Sequence, residues 1–161
     1  MSYFVVDTNV LIVANGKSHQ ASGNCALRCG QKLEEIKQNH VLILDDGWLI
    51  IGEYSNKLSS TGQPGLGDKF LKWVFENHTN PQRCEKVKII PTMEGSFAEF
   101  PDDESLSKFD SSDRKFAAVA LTHPEKPPIL NAVDSDWKDF ETAFKDIGIT
   151  IIFLCPDYQF L

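Results

Sequence analysis

The sequence predicts an α/β fold in which a central parallel β-sheet is flanked by helices on both faces, forming a three-layer sandwich. Short apolar runs of strand length alternate with amphipathic stretches of helical length. Those runs are mostly apolar, which is typical of strands covered on both faces. The length of 161 residues suits one domain, 1–161, with one core.

The first half of the chain contains strands rich in β-branched residues and helices that begin at capping residues. A Ser-, Gly- and Pro-rich segment at 59–67 is the clearest loop. In chain order, the predicted elements are a strand at 3–6, a helix at 8–14, a helix at 20–39, a strand at 41–44, a helix at 45–58 and a helix at 68–77.

The second half follows the same alternation after an irregular acidic segment at 94–109. Proline ends the first of its strands, and serines at 111 and 112 can cap its first helix. The predicted elements are a strand at 86–91, a helix at 111–123, a strand at 129–133, a helix at 135–146 and a strand at 148–154.

Acidic residues are concentrated in one part of the chain. The formal net charge is −7, but residues 1–90 carry 10 Lys and Arg against 9 Asp and Glu, whereas residues 91–161 carry 6 against 14. A nucleic-acid partner would therefore meet a chain of modest intrinsic affinity, and the acidic excess needs its own explanation.

The termini and the cysteines predict a soluble cytoplasmic protein with no membrane partner. The N-terminus has no basic segment, and no apolar run approaches the ~18 residues that span a bilayer. The four cysteines (Cys25, Cys29, Cys84 and Cys155) form no C-x-x-C pair, so we expect small buried thiols rather than zinc ligands or disulfides. The tail 155–161 is expected to be frayed rather than a docking peptide.

Glu53 is the most informative single residue, because it lies on an apolar helix face with Leu49 and Ile50 at its i−4 and i−3 positions. A solvated surface glutamate is the ordinary alternative. The adjacent Gly52 weakens the helix by about 1 kcal/mol relative to Ala, and close approach of a ligand or of another backbone is one reason for it.

Three aspartates lie where strands are expected to meet helices. Asp7 follows the first strand, Asp134 follows the strand at 129–133, and Asp113 lies in the first turn of a helix. Helix capping and a first-turn acid are the alternative interpretations of each one taken singly. Asp110 and Asp136 are expected either to be solvated or to contact the metal ligands without binding the metal themselves.

The carboxyl ends of parallel strands meet at one edge of a sheet, where ligands bind. Four acids that converge there cannot all stay ionised without a cation or a raised pKa. Carboxylate oxygens favour Mg²⁺ or Mn²⁺. One or two such ions could activate water and stabilise the leaving oxygen of a phosphodiester.

The chain resembles the PIN-domain nucleases, the family of the VapC-type toxins, from Phe4 to about Phe153. Four segments carry the resemblance in order: "VVDTNVL", "IIGEYSNKL", "DRKFAAVAL" and "ILNAVDSDW". It implies a PIN-like, Rossmann-like parallel sheet and Mg²⁺- or Mn²⁺-dependent cleavage of RNA.

By motif, the resemblance implies that the catalytic and metal-binding acids are Asp7, Glu53, Asp113 and Asp134, with Asp136 as a further metal ligand. Asn9 matches a polar helper residue of the first motif. The final motif usually has a Thr two residues before its Asp, and Ala132 holds that place here. Either Asn131, one residue earlier, substitutes for the Thr, or the register of the motif differs. Besides RNA, the resemblance allows an antitoxin protein and a homodimer as partners.

The leading hypothesis is a metal-dependent endoribonuclease, which must hold RNA through basic residues. An ordinary solvated face is the alternative for each of them. The candidates are Lys57, Lys69, Lys72, Arg114 and Lys115, with Arg28, Lys32, Lys37, Arg83, Lys86 and Lys88 as further ones.

Two other functions remain open. A catalytically silent PIN-fold module could bind RNA or protein, although the presence of all four acids argues against it. A phosphohydrolase with an aspartyl-phosphate at Asp7 is the second alternative. Its usual D-x-D-x-T start is not matched, because Asn9 and Leu11 stand at the second Asp and at the Thr.

Overall fold

The structure is a computed structural model that describes residues 1–160. Five strands, all parallel, form one sheet in the order β3-β2-β1-β4-β5. With the helices that cover it, the sheet gives the three-layer α/β sandwich that the sequence predicts. The strands are β1 Tyr3–Val6, β2 Val41–Asp45, β3 Cys84–Val87, β4 Ile129–Asn131 and β5 Ile151–Phe153.

Seven α-helices are described. Helices α1, α2 and α4 pack against one another, whereas α5 packs on β1, β2 and β4. Short 3₁₀ turns lie at Glu104–Leu106 and Ser111–Asp113. The helices are α1 Thr8–Ala14, α2 Gly23–Asn39, α3 Leu49–Lys57, α4 Leu66–Asn77, α5 Arg114–Thr122, α6 Ser135–Asp139 and α7 Glu141–Asp146.

The centre of the sheet is the core of the domain. All five residues of β2 and all three of β4 are buried, including the polar Asp45 and Asn131 that end them, as expected for strands of a sheet covered on both faces. The same core includes an aromatic group of Phe109, Trp137 and Phe144, whose rings lie 4.9 to 5.4 Å apart between centroids.

Strand β1 is the point where the direction of chain progression across the sheet reverses. From β1 the chain first adds β2 and β3 on one side and later adds β4 and β5 on the other. The loops after β1 and β4 therefore diverge at the carboxyl edge of the sheet. Such a divergence leaves the crevice in which open α/β sheets bind ligands.

The predicted strand at 86–91 is wrong in its bounds, because β3 spans Cys84–Val87. Its register pairs Leu42 with Cys84 and Asp45 with Val87, so β2 offers no further partner once it ends at Asp45. Beyond that point the chain leaves the sheet, and Ile90 donates its N–H to the Glu99 carboxylate instead. Strand pairing, not apolar character, fixes the end of β3.

Five predicted helices and three further strands also have different bounds. The helices predicted at 20–39 and 68–77 begin at Gly23 and Leu66, and the strand predicted at 41–44 extends to Asp45. The helix predicted at 45–58 begins at Leu49, because Asp45 still belongs to β2, and the one at 111–123 begins with a 3₁₀ turn. The helix predicted at 135–146 is divided into α6 and α7 at Phe140, where neither Gly nor Pro marks a break. Strands β4 and β5 are each shorter than predicted.

The expectation of free thiols is wrong for two of the four cysteines. Cys25 and Cys155 form a disulfide, while Cys29 and Cys84 are buried free thiols as expected. The pairing could not be predicted from local spacing, because the two cysteines are 130 positions apart in the sequence. The disulfide holds the start of the C-terminal tail against α2, and Cys29 Sγ lies 4.0 Å from Cys155 Sγ.

The tail is not frayed over the residues that the structure describes, 155–160. Tyr158 donates its N–H to the Cys155 carbonyl. The Phe160 ring lies 5.6 Å from that of Phe153 and 4.8 Å from that of Tyr158. The last residue of the predicted tail, Leu161, lies outside the described residues. Within residues 1–160, no helix is long and apolar enough to cross a membrane.

Candidate metal centre

Three of the predicted acids meet at the crevice. One oxygen each from Asp7, Asp113 and Asp134 lie within 4.8 Å of one another. Asp7 follows β1, Asp134 follows β4, and Asp113 closes the 3₁₀ turn that precedes α5. We call these three residues the acidic triad.

Asp7 is held rigidly at the end of β1, and only 3% of its surface is exposed. One carboxylate oxygen accepts the backbone N–H of Asn9 at 2.9 Å, which caps α1. The other accepts the indole N–H of Trp137 at 2.6 Å. The capping role considered from sequence is therefore present, and it coexists with a place in the triad.

Asn9 and Asn131 tie the two loops of the crevice together. Asn9 donates to the Asn131 side-chain oxygen at 2.9 Å, and its own side-chain oxygen accepts the backbone N–H groups of Ala132 and Val133. Asn131 in turn donates to the Asp134 carbonyl. Both asparagines are thus positioning residues, and their hydrogen bonds set the distance between the β1 and β4 loops.

Glu53 does not lie in the acidic triad, although the sequence predicts it as the fourth member of the metal-binding set. Its carboxylate accepts the hydroxyl proton of Thr8 and forms an ion pair with Lys115, with 2.7 Å between Nζ and Oε1. About a quarter of the Glu53 side chain is exposed, so it is neither a fully solvated surface acid nor a buried one. Lys115 also donates to the Ser112 carbonyl.

Asp136, predicted as an additional ligand, lies in a second group of acids. Oxygens of Asp110, Asp113 and Asp136 also lie within 4.8 Å of one another, so Asp113 is common to both groups. Asp110 was expected to be solvated, and it is exposed, but its side chain also caps the turn that carries Asp113. Two cation positions that share one carboxylate are therefore compatible with the arrangement of these acids.

Burial and mutual repulsion disfavour ionisation of the triad. The pKa of Asp113 is raised to about 9, first by burial and then by the negative charges of Asp7 and Asp134. The pKa of Asp7 is raised to about 6, because burial outweighs the hydrogen bonds from the N–H groups of Asn9 and Trp137, which lower it. The pKa of Asp136 is raised by burial and then by Asp134 and Asp110.

No described Lys or Arg forms a salt bridge with the triad, and Lys115, two residues after Asp113, pairs with Glu53 instead. The charge of the three carboxylates must then be balanced by protons or by a bound cation. The donors are all carboxylate oxygens, which suit a hard cation such as Mg²⁺ or Mn²⁺ better than Zn²⁺. The residues therefore fit the metal that the sequence predicts.

The predicted RNA-binding residues differ in whether their side chains are exposed or hydrogen-bonded within the protein. Lys57, Lys69 and Lys72 are exposed. Arg114 donates to the carbonyls of Phe109 and Ser107 and to the Ser96 hydroxyl. Its guanidinium also lies 4.6 Å from the centre of the Phe100 ring. We interpret Arg114 as a brace of the acidic 94–109 segment rather than as an RNA contact.

Sequence reasoning missed two residues that shape the site. Trp137 contacts Asp7 across 130 positions, and the only sequence signal was its place after the last two acids in "DSDW". Thr8 donates its hydroxyl to the Glu53 carboxylate, a contact that its place at the start of α1 does not indicate. Both contacts join distant parts of the chain, so local patterns could not identify them.

The chain was also compared with protein-family models, curated proteins and solved structures, and none of them matches it. The resemblance to the PIN-domain nucleases accordingly remains a prediction from the four motifs.

Proposed function

We propose that this protein is a divalent-metal-dependent ribonuclease that hydrolyses RNA phosphodiester bonds at the acidic triad. The observation that carries the proposal is the convergence of Asp7, Asp113 and Asp134 at the point where the sheet order reverses. Three buried or half-buried carboxylates without a basic partner are unfavourable unless a cation or protons compensate them.

The triad would hold Mg²⁺ or Mn²⁺, with Asp110 and Asp136 available to a second ion that shares Asp113. A bound ion supplies an acidified water and stabilises negative charge on the leaving oxygen. The protein's own part is orientation. Trp137 and Asn9 fix the Asp7 carboxylate, while the Asn9–Asn131 hydrogen bond keeps Asp134 beside it.

Glu53 has a different role in this proposal. Lys115 neutralises much of its charge and is itself anchored to the turn that carries Asp113. The pair therefore connects α3 to α5 beside the triad and leaves the metal ligands to the aspartates. Glu53 could reach a ligand only if Lys115 released it.

The decisive experiment uses labelled single-stranded RNA and purified protein with Mn²⁺, with EDTA, and as the variants Asp113→Asn and Asp134→Asn. We expect Mn²⁺-dependent cleavage that EDTA abolishes and that each variant reduces by about 100-fold or more, because each removes a charge that the cation needs. The control is Asp46→Asn, an exposed acid after a different strand. Equal cleavage by Asp113→Asn and the unmodified protein would refute the proposal.

The same experiment decides between the alternatives. RNA binding without cleavage under all conditions would favour the catalytically silent module. Radioactive phosphate trapped on Asp7 would favour the phosphohydrolase. Against that second function, both Asp7 oxygens already accept hydrogen bonds and the residue is buried.

A toxin neutralised by an antitoxin, a homodimer and a cytoplasmic location are the finer parts of the proposal. Growth arrest on expression, relieved by co-expression of an adjacent small gene, would support the toxin role. The Cys25–Cys155 disulfide argues against a cytoplasmic location, because disulfides are rare in a reducing cytosol. Thiol alkylation of protein taken directly from cells would show whether the pair is oxidised there.

A further inference from the structure

A cavity adjoins the acidic triad on the side of the C-terminal tail. Its volume is about 400 Å³, within the range of small-molecule sites. We call it the tail cavity. It is lined by residues of four separate segments, including Asn9, Gln20, Asp134, Ser135, Tyr158 and Phe160.

The tail cavity is continuous with the proposed catalytic site through two residues. Asp134 belongs to the triad, and Asn9 holds the β1 and β4 loops together. Anything that fills the cavity therefore lies next to the triad. A substrate whose phosphate met the triad would place its neighbouring group in this cavity.

The chemistry of the lining favours a base over a phosphate. None of the described residues that line the cavity is basic, and Asp134 brings negative charge, so an anion would be repelled. Tyr158 and Phe160 offer aromatic rings, on which any nucleobase can stack. Gln20, Asn9 and Ser135 offer amide and hydroxyl groups that can bond the edge of a base.

The aromatic wall of the cavity is held in place by contacts within the chain. The disulfide anchors residue 155, and the Tyr158 and Phe160 rings meet edge to face at 4.8 Å between centroids. Phe160 also packs on Phe153, whose ring has the Lys138 ammonium 5.0 Å from its centre. A wall that is fixed beforehand loses less conformational entropy when a ligand binds.

From these observations we infer that the tail cavity binds one unpaired nucleobase of single-stranded RNA, next to the phosphate presented to the triad. This inference rests on the proposed ribonuclease function and specifies its substrate as unpaired RNA. Bases in a duplex are stacked and paired, so they cannot enter the cavity.

The test measures binding separately from cleavage. An RNA octamer that contains the fluorescent base 2-aminopurine is titrated with the full chain in EDTA, where the proposed reaction does not proceed. Stacking on Tyr158 and Phe160 should quench the fluorescence, and Tyr158→Ala or Phe160→Ala should weaken binding by about tenfold, within the loss typical of one stacked base. A duplex of the same sequence should not compete.

Two further variants serve as controls. Tyr158→Phe keeps the ring and should bind like the unmodified protein. Met93→Ala removes a fully exposed apolar side chain that does not line the cavity, and it should also have no effect. Tyr158 and Phe160 are only partly buried, and the melting temperatures of the two alanine variants would show that both remain folded.

The outcomes separate this inference from the proposed function. Quenching that both alanine variants lose supports the base site, even if no RNA is ever cleaved. Alanine variants that bind and quench as the unmodified protein does would overturn it, even if Mn²⁺-dependent cleavage is observed. Absence of quenching by the unmodified protein at saturating RNA, or equal competition by the duplex, would overturn it as well.

Discussion

Asp7 and Asp45 occupy equivalent places in the chain and have different surroundings. Each ends or follows a central strand, and each is almost completely buried, with exposures of 3% and 1%. Asp45 accepts three backbone N–H groups, those of Gly47, Leu49 and Ile50, at 2.8 to 3.0 Å. Asp7 accepts one backbone and one indole N–H and faces two further carboxylates.

The difference shows that a buried aspartate after a strand is not by itself a functional site. The charge of Asp45 is satisfied by the α3 amide groups, so the residue can be explained by structure alone. Asp7 lies beside β4, where a second loop brings Asp134 close. Its surroundings stay unfavourable until a proton or a cation is added.

Substitution of Asp45 should therefore have the larger structural effect. We expect Asp45→Ala to lower the free energy of unfolding by about 3 kcal/mol, since it leaves buried N–H groups at the start of α3 without an acceptor. Asp7→Asn should change the stability of the metal-free protein much less. Urea denaturation of both variants measures this, with the exposed neighbour Asp46→Ala as control. Equal losses for Asp45 and Asp7 would contradict the contrast.

Metal binding should depend on the surroundings of Asp7 and not on those of Asp45, the reverse of the effect on stability. Added Mn²⁺ should raise the melting temperature of the protein, by the equivalent of about 2.7 kcal/mol at a concentration of 100 Kd. Asp134→Asn should lose this shift, whereas Asp46→Asn and the exposed Asp139→Asn should keep it. A melting curve of the unmodified protein that does not move in millimolar Mn²⁺ would contradict the metal centre.

The pH dependence of the metal-free protein provides a sharper test. The pKa of Asp113 is raised from 3.8 to about 9 in the folded state, so at intermediate pH the folded protein binds more protons than the unfolded chain does. The contribution of Asp113 to the free energy of unfolding is complete below about pH 4, near the pKa of the unfolded chain. It is lost as the pH rises through 9, the pKa in the folded state.

In EDTA, the free energy of unfolding should then fall by at least about 1.4 kcal/mol between pH 6 and pH 9, the equivalent of one pKa unit. Asp113→Asn should flatten this slope, because an amide does not titrate, while the exposed Asp110→Asn should leave most of it. Stability curves from urea at each pH give the measurement. A stability that rises over this range would show that the triad is ionised and compensated in another way.

The smallest effect is expected at Glu53. Glu53→Gln removes the negative charge that lies 2.7 Å from the mostly buried Lys115 ammonium but keeps an oxygen that can accept its hydrogen bond, and we expect a loss of about 1 kcal/mol. It should reduce the Mn²⁺-induced rise in melting temperature less than Asp134→Asn does, because Glu53 lies outside the triad. If Glu53→Gln abolished the Mn²⁺-induced rise in melting temperature completely, Glu53 would have to be counted among the metal ligands.

The sequence predicted the layers, the number of strands and the acids at the strand ends because these depend on local chemistry. Apolar runs identify buried strands, and Asp7 and Asp134 cap the helices that follow them. Element bounds were less accurate, as at β3, because the end of a strand depends on the length of its neighbour.

Pairings between distant residues could not be predicted. The Cys25–Cys155 disulfide, the Trp137–Asp7 hydrogen bond and the Lys115–Glu53 ion pair join residues 62 to 130 positions apart. Periodicity gives the face on which a side chain lies, but not the side chain that it meets. The single strand order that the structure adopts decides those meetings.

By itself, then, the sequence determined a parallel α/β domain with acids at the carboxyl ends of its strands. The tertiary structure decided that Asp113 and Asp134 join Asp7, that Glu53 pairs with Lys115 instead, and that the tail closes a cavity beside them. The reason is that hydrophobic patterning acts over a few residues, whereas the placement of β4 and the tail beside β1 is set by packing of the whole chain.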